Sequence, residues 1–273
     1  MDAQLQRRIQ RYGWDRAADH YETSWAAQLR PAQDLLLTVA ALEPGERVLD
    51  VACGTGLVTL RAAAAVGDRG SVVATDISDR MVQQTLAQAQ ARGFTQVRGQ
   101  RMGAEALDLP SDSFDVVLCA LGLMYVPDVQ AALSEFRRVL APGGRAVAAV
   151  WGARSACGWA DIFPIVEARV QSDVCPMFFQ LGTGDALEQE LARAGFTNVT
   201  RARVSTSLQY DTADAAADAA FVGGPVAMAY SRFDDTTRDG ARADYIASIA
   251  PFCTDAGYRI PGEFVVARGD RGA

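Results

Sequence analysis

The sequence predicts an α/β fold built on a mostly parallel β-sheet. Between residues 47 and 151, short apolar segments alternate with longer segments that have the spacing of amphipathic helices. The strand-like segments are apolar on both faces, which is typical of parallel strands covered by helices on both sides. A glycine-rich turn directly follows the first of them. With 273 residues, the chain is long enough to bury the core of a large α/β domain.

The composition excludes several classes of function. The net charge of −7 and the pI near 4.8 argue against binding the phosphate backbone of a nucleic acid. All 26 basic residues are arginines, so the chain has no lysine for a Schiff base, a pyridoxal phosphate anchor or a Walker-type phosphate site. His20 is the single histidine, and the five cysteines form no CxxC pair. We therefore predict no metal in the functional site.

Three features of the sequence predict a cytoplasmic protein. The cysteines are odd in number and widely spaced, as is usual in a reducing compartment. The first 21 residues are polar and charged where a signal peptide would be apolar. No apolar run reaches the roughly 20 residues that span a bilayer.

The predicted elements follow one another regularly up to residue 151. The first 42 residues have a helical pattern, which ends at the turn Pro44-Gly45. Strands are predicted over residues 47–53, 71–77, 96–102, 114–121 and 145–151. Helices are predicted over residues 57–66, 78–92 and 127–140. Ser78 is the expected N-cap of the second of these helices and Gly93 its stop, while Pro127 is expected in the first turn of the third.

The alternation ends after Trp151. Residues 152–184 are rich in aromatic side chains that follow no clean period. Beyond them the sequence predicts helices over 185–195, 213–222 and 235–250, and strands over 199–210 and 259–268. Asp185 and Glu188 have the spacing of a capping pair. These elements are predicted to extend one domain, because no internal repeat is present.

The segment VLDVACGTG, residues 48–56, carries the most information about function. A buried strand runs into a glycine-rich turn, and glycine lets the backbone approach a ligand closely at positive φ. Such a ligand would lie at the carboxyl edge of the sheet, where open α/β sheets have their binding crevices. The next strand ends at Asp76, twenty residues after Gly56. An acidic residue at that place can accept both hydroxyl hydrogens of a ribose.

Two nucleoside cofactors use this arrangement. The dinucleotide-binding pattern G-x-G-x-x-G requires a third glycine beside the pyrophosphate, and Thr59 stands there in this chain. Asp50 precedes the glycines; its carboxylate would repel a pyrophosphate but attract the ammonium group of a methionyl moiety. The balance favours S-adenosylmethionine (SAM) over a nicotinamide dinucleotide.

Together with four further motifs, this segment resembles the class I SAM-dependent methyltransferases, in particular the broad group that includes the menaquinone and ubiquinone C-methyltransferases. The motifs are VLDVACGTG (48–56), VVATDIS (72–78) followed by Met81, GAEALDLP (103–110), SFDVVLCALGLMYVPD (113–128) and RVLAPGGRAVAAVW (138–151). The resemblance implies a Rossmann-like, mostly parallel sheet of seven strands, with the last strand antiparallel. It also implies a single methyltransferase domain over residues 1–273, divided into an N-terminal helical cap (1–42), a SAM-binding core (43–151), a substrate or lid segment inserted after the fifth strand (152–184), and C-terminal strands and helices (185–273).

The same resemblance implies which residues hold SAM. Gly54 and Gly56 would pass under the methionyl group with Asp50 supporting their loop, and Asp76 would hold the ribose. The other residues that it assigns to the cofactor are Tyr21, Ala52, Thr55, Ile77, Met81, Ala104, Glu105, Cys119 and Ala120. Gly103 departs from the pattern, because many relatives have an aspartate there that accepts the adenine amino hydrogen. We therefore expect weaker discrimination of adenine.

His20 is the candidate general base. An imidazole with a pKa of about 6.5 could take a proton from a hydroxyl or an amine during methyl transfer. Adjacent residues of a helix point about 100° apart, so His20 and Tyr21 cannot both face the same spot equally well. A solvated or purely positional histidine is the alternative.

Aromatic residues around the fourth and fifth strands predict an apolar substrate pocket. The candidates are Tyr125, Trp151, Trp159, Met177, Phe178 and Phe179. An aromatic core beneath an irregular segment is the alternative. Cys157, Cys175 and Cys253 could bind a metalloid, as in arsenite methyltransferases, but the chain lacks the local sequence of those enzymes, and free cysteines are common as buried apolar residues.

The predicted function is in-line transfer of a methyl group from SAM to a small molecule, with S-adenosylhomocysteine (SAH) as product. Oxygen is the slightly favoured acceptor atom, while carbon, nitrogen and sulfur stay open. Nucleic-acid substrates are disfavoured, since the fourth strand continues as CALGLM and not as the [DNS]-P-P-[YF] motif. The alternatives are a nicotinamide-dependent oxidoreductase and a non-catalytic module that binds SAM or SAH. Residues 205–273 could cover the sheet edge or form a homodimer interface.

Overall fold

The computed structural model describes residues 3–170 and 178–272. The strands are β1 (Arg47–Val51), β2 (Ser71–Asp76), β3 (Val97–Arg101), β4 (Phe114–Ala120), β5 (Leu140–Trp151), β6 (Thr197–Tyr210), β7 (Cys253–Thr254) and β8 (Gly257–Asp270). The α-helices are α1 (Ala3–Ala40), α2 (Thr59–Val66), α3 (Asp79–Ala91), α4 (Val129–Val139), α5 (Ile162–Glu167), α6 (Ala186–Arg193), α7 (Ala213–Phe221), α8 (Ala227–Tyr230) and α9 (Asp235–Ile249). No helix within these ranges has the length and apolar character needed to cross a membrane.

The strands form one sheet in the order β3-β2-β1-β4-β5-β8-β6. The pairs from β3 to β5 are all parallel, and β8 is antiparallel to both β5 and β6. This arrangement confirms the predicted mostly parallel sheet with an antiparallel last strand. The two-residue strand β7 pairs only with β8 and was not predicted. The strand order reverses between β1 and β4, which places a crevice at their carboxyl ends.

Both faces of the sheet are buried. Consecutive side chains of a strand point to opposite faces, so the residues of one strand divide between two core clusters. In β1, Leu49 and Val51 belong to the larger core cluster, while Val48 belongs to a second cluster with α2 and the end of α1. In β4, Val117 and Val116 divide in the same way. The near-continuous apolar strands of the sequence therefore reflect cover on both faces.

Two of the three predicted helix caps are wrong in detail. Ser78 is confirmed, since its hydroxyl accepts a hydrogen bond from the Met81 N–H. Helix α4 instead begins after Asp128, whose carboxylate accepts from a backbone N–H of the first turn, so Pro127 precedes the cap. Asp185 makes no capping bond with its side chain, because its carboxylate accepts from Gln189 in the next turn.

Strand β5 begins five residues earlier than predicted. Leu140 already pairs with Phe114, and the next register pair is Arg145 with Val116. The residues between them loop out of the ladder, with Gly143 at φ +78°. The segment Pro142-Gly143-Gly144 is therefore a bulge within the strand, not a connection before it.

Arg145 fixes the carboxyl end of α1 to the sheet. Its guanidinium donates to the carbonyl oxygens of Ala40 and Ala41 at 2.5 and 2.9 Å, and it forms an ion pair with Glu46. These bonds satisfy carbonyls that a helix end leaves unpaired. With this end anchored, the amino-terminal half of α1 extends over the carboxyl edge of the sheet.

Candidate active site

A cavity lies at the carboxyl ends of β1, β2, β4 and β5, beneath α1. It encloses about 980 Å³, part of which is open to solvent. Its lining combines side chains of α1, the turn after β1, the loops after β2, β3 and β4, and the aromatic residues of and beyond β5.

The glycine turn after β1 is closely packed on both sides. Gly54 has φ +56° and lies under the ring of Tyr21, whose nearest atom would be 3.7 Å from an added Cβ. Gly56 has φ +96°, and a Cβ there would lie 3.1 Å from the Thr85 side chain. Ala52 adopts φ +57° in the same turn. The turn therefore requires glycine both for its backbone conformation and for space.

Asp76 is held in place at the end of β2. One carboxylate oxygen accepts from the Gly54 N–H at 3.0 Å and the other from the Ser78 N–H at 2.8 Å. The side chain lines the cavity although only 6% of the residue is exposed. Burial raises the pKa of Asp76 to about 6, against the opposite effect of these hydrogen bonds.

Asp50 is fully buried behind the turn. Its Oδ2 accepts a hydrogen bond from the Thr59 hydroxyl at 2.6 Å. Thr59, which stands where a dinucleotide-binding pattern has its third glycine, thus holds the Asp50 side chain. Its Oδ1 has no hydrogen-bond partner within the described part of the chain. Asp50 also lines a second space of about 320 Å³ between Tyr21, Gly54 and Ala120. Burial raises the pKa of Asp50 to about 7.

The charges around the cavity favour a cation. Asp76 and Glu105 contribute carboxylates to the lining, and Asp50 lies beside it. Arg7 is the basic side chain among the described lining residues, and it forms an ion pair with Glu105. A buried carboxylate oxygen without a partner fits an ammonium group and would repel a pyrophosphate.

Helix α1 presents Tyr21 to the cavity and His20 to solvent. Tyr21 lines the cavity, and burial together with the charge of Asp76 raises the pKa of its hydroxyl, so it stays neutral. His20 is exposed and does not line the cavity. The 100° step between neighbouring helical residues turns the two side chains in different directions, so His20 does not contribute to the described lining.

Most of the cavity residues contributed by α1 were not predicted. The lining residues of this helix recur at intervals of three, four or seven: Arg7, Gln10, Trp14, Tyr21, Trp25 and Leu29. This spacing places them on one face of a helix. The periodicity was therefore visible in the sequence, but the face could not be assigned without the docking of the helix.

The loop after β3 meets both α1 and α4 at Glu105. One carboxylate oxygen of Glu105 accepts from the Asp128 N–H at 2.9 Å, and the other forms the ion pair with Arg7. Glu105 and the preceding Ala104 line the cavity at the predicted place. Ile77, Met81 and Ala120 also line it.

Besides Asp50, three predicted cofactor residues lie outside the lining of the larger cavity. Thr55 and Gly56 belong to the turn but are packed against the protein interior. Cys119 is buried in the core, because it points to the opposite side of β4 from Ala120. Gly122, which was not predicted, lines the cavity, and a Cβ there would lie 2.3 Å from that of Ala52.

Aromatic side chains line the part of the cavity at the ends of β4 and β5, the aromatic half, and some of them are predicted substrate residues. Tyr125, Trp151 and Trp159 line it as expected. Phe178 and Phe179 do not; their rings lie behind the wall, with centroids 5.6 and 5.7 Å from that of Trp159. Phe178 is buried and Phe179 is partly buried against the core, so neither contributes to the described lining. Met177 lies outside the described residues.

The cysteines are dispersed in the described structure. Cys157 is buried and Cys253 is exposed, while Cys175 lies outside the described residues. Among residues 3–170 and 178–272, no group of three or more histidine, cysteine, aspartate or glutamate side chains could hold a metal ion.

Comparison with known proteins places this geometry in a family. A family described as "Methyltransferase domain" matches residues 48–144, from β1 into β5. An uncharacterized protein of Mycobacterium tuberculosis, Rv1405c, is 33% identical over 220 residues, which cover 79% of this chain and 78% of that protein. The similarity therefore extends well beyond the glycine turn.

Two relatives with a named activity match somewhat less than half of the chain. The ubiquinone/menaquinone biosynthesis C-methyltransferase UbiE of Shewanella frigidimarina is 43% identical over 110 residues, covering 40% of this chain and 44% of the relative. The nocamycin O-methyltransferase of Saccharothrix syringae is 36% identical over 132 residues, covering 48% and 47%. Each match therefore covers less than half of the relative's own length.

A solved structure agrees in fold over most of the chain. The YcgJ protein of Bacillus subtilis superposes with a TM-score of 0.61 at 20% identity, covering 89% of this chain and 99% of that one. The family match, the relatives and the sheet order agree with one another. The chain belongs to the class I SAM-dependent methyltransferases.

Proposed function

We propose that this methyltransferase acts on a small, apolar, flat acceptor held in the aromatic half of the cavity. The observation that carries the cofactor assignment is the unpartnered Oδ1 of the buried Asp50 beside the glycine turn. A cationic amino group satisfies this oxygen, whereas a dinucleotide pyrophosphate would be repelled by it.

The residues around the turn divide between the parts of SAM. Asp76 binds the ribose hydroxyls, since its two oxygens are already oriented by backbone N–H groups. Ile77 and Met81 contact the adenine, with Ala104 at its edge. Asp50 attracts the amino group of the methionyl part.

SAM supplies a methyl group on a positively charged sulfonium. The chain contributes aromatic side chains near the turn: the Trp14 ring lies 5.8 Å from Tyr21 and 5.1 Å from Tyr125, measured between centroids. Such rings stabilise a cation by cation–π interaction and exclude water from the reacting groups. The buried hydroxyl of Tyr21 stays protonated, so it can donate a hydrogen bond but does not act as a base.

The acceptor atom is proposed to be oxygen, with carbon, nitrogen and sulfur as the alternatives. Because His20 faces solvent, no imidazole is available in the described lining to remove a proton. An enol or phenol acidic enough to ionise readily would not require one. The relatives named above comprise one C-methyltransferase and one O-methyltransferase, which is consistent with either atom.

Calorimetric titration tests the cofactor assignment. We expect SAH to bind with a Kd in about the micromolar range and NADH not to bind. Asp76→Ala should abolish SAH binding, while Asp68→Ala, an exposed aspartate, should leave it unchanged. Binding of NADH without SAH would identify a nicotinamide-dependent oxidoreductase and overturn the proposal.

A screen of acceptors then tests the activity. Phenols, enols and amines of one or two rings are incubated with SAM, and SAH release is measured. Turnover of a flat apolar hydroxyl compound supports the proposal. Tight SAH binding without turnover of any acceptor would favour a non-catalytic binding module instead.

A further inference from the structure

Trp159 lines the aromatic half of the cavity and carries a buried indole N–H without a hydrogen-bond partner in the described structure. Trp159 lies beyond β5 and is only 2% exposed, with its ring centroid 4.8 Å from that of Trp151 and 6.0 Å from that of Trp25. It lines the cavity. Its Nε1–H has no hydrogen-bond partner among the described residues.

Two other tryptophans of the same cavity do have partners. The Trp25 indole donates to the carbonyl oxygen of Ala219 at 3.2 Å, and the Trp14 indole donates to the side-chain oxygen of Gln10 at 3.1 Å. Buried polar groups are nearly always paired, because an unpaired buried donor has lost its hydrogen bond to water without replacing it. A molecule in the cavity that accepts a hydrogen bond from Trp159 would replace it.

The sheet order separates Trp159 from the charged lining residues. Asp76 and Glu105 follow β2 and β3, whereas Trp151 ends β5, three strands away from β2. At about 4.8 Å between neighbouring strands, this separation is on the order of 14 Å. The surroundings of Trp159 are aromatic: Trp25, Trp151 and the ring layer of Phe178 behind it.

We propose that the Trp159 N–H binds an oxygen of the methyl acceptor. The acceptor is then a neutral, flat, conjugated molecule that carries a carbonyl or similar hydrogen-bond-accepting oxygen in addition to the atom that is methylated. Neutrality follows from the five aromatic rings that surround Trp159, because apolar surroundings penalise a charged ligand. This inference rests on the proposed function, because it names the substrate class of that site.

Binding of two isosteric probes tests the proposal. Acetophenone and α-methylstyrene have nearly the same shape, but only acetophenone has an oxygen that accepts a hydrogen bond. Their affinities are measured with SAH saturating, for the wild type, Trp159→Phe and the matched control Trp25→Phe. Trp25 is also buried and lines the cavity, but its N–H is bound to a backbone carbonyl.

We expect the preference for acetophenone over α-methylstyrene to fall about tenfold in Trp159→Phe and to stay unchanged in Trp25→Phe. An unchanged preference in Trp159→Phe, an equal fall in both variants, or failure of both probes to bind the wild type would overturn the proposal. Measurement of SAH binding to the same preparations distinguishes a failure of the proposed function from a failure of this inference about Trp159. If SAH does not bind the wild type, the proposed function fails; if SAH binds normally, only the role of Trp159 fails.

Nuclear magnetic resonance of the wild type provides a second measurement should Trp159→Phe not fold. The four tryptophans give four indole N–H signals, and single replacement of Trp14, Trp25 and Trp151 assigns the fourth by elimination. Acetophenone should move the Trp159 signal downfield and α-methylstyrene should not. Equal movement of this signal by both probes would contradict the hydrogen bond.

Discussion

The guanidinium of Arg7, near the beginning of α1, forms an ion pair with the carboxylate of Glu105 in the loop after β3. The side chain of Glu105 is 8% exposed and that of Arg7 is 39% exposed. Both residues line the cavity, so the pair ties the amino-terminal half of α1 to the cavity wall. Arg11 with Asp79 makes a second, more exposed connection between α1 and α3.

Removal of Arg7 should therefore loosen the site without unfolding the protein. In Arg7→Gln the buried Glu105 loses its charge partner, and we expect SAH to bind about three- to tenfold more weakly. Arg30→Gln is the matched control, since Arg30 lies on the same helix in a loose, exposed pair with Asp34. Calorimetry of both variants checks the expectation, which an equal affinity of the Arg7 variant and the wild type would contradict.

The buried carboxylates predict that SAH binding strengthens as the pH rises. Burial raises the pKa of Asp50 to about 7 and that of Asp76 to about 6 in the free protein. The amino group of SAH is attracted only to ionised carboxylates, so binding releases protons and affinity rises between about pH 5 and about pH 8. Calorimetry in buffers of different ionisation enthalpy measures this release.

Asp50→Asn is the control for this pH dependence. The variant keeps an acceptor for the Thr59 hydroxyl but cannot ionise. We expect its SAH affinity to be lower at high pH and to vary less between about pH 6 and about pH 8. A wild-type affinity that falls with rising pH would show that the ligand does not need the ionised carboxylates.

Gly56→Ala should reduce stability more than Gly45→Ala. Both glycines have nearly the same φ, +96° at Gly56 and +94° at Gly45. An added Cβ would lie 3.1 Å from Thr85 at Gly56 but has nothing within 4 Å at Gly45. We expect the free energy of unfolding to fall by about 1 kcal/mol at Gly45 and by about 2–3 kcal/mol at Gly56, measured by urea denaturation. Equal losses would mean that backbone strain alone makes glycine necessary in the turn.

His20→Ala should have little effect on turnover. The imidazole is exposed and lies outside the cavity lining, so we expect kcat to change less than about twofold, not by the hundredfold or more that is typical of a lost general base. The measurement uses whichever acceptor the screen identifies. Tyr21→Phe is the companion variant, because Tyr21 faces the cavity and should alter SAH affinity. A large loss of kcat in His20→Ala but not in Tyr21→Phe would show that His20 acts in the reaction.

Much of the fold and half of the site could be predicted from local patterns. The strand that runs into the glycine turn places Gly54 at the cavity, and the end of the next strand places Asp76 beside it. These predictions hold because the ends of adjacent parallel strands meet at one edge of the sheet. The predictions of Pro127 in the first turn of α4 and of a capping pair at Asp185 failed, since a sequence pattern does not specify which side chain accepts from the first turn of a helix.

The sequence by itself determined the strand–turn–helix segment, with Asp50 before the glycines and Thr59 in place of a third glycine. These two residues favour SAM over a dinucleotide. Only the tertiary structure decided that Tyr21 faces the cavity while His20 faces solvent, and that Trp159 lines the cavity while Phe178 lies behind it. The rotation of α1 about its axis is set by contacts with residues far away in sequence, such as the bond from Trp25 to Ala219. Local periodicity groups the residues of one helix face, but long-range packing chooses where that face points.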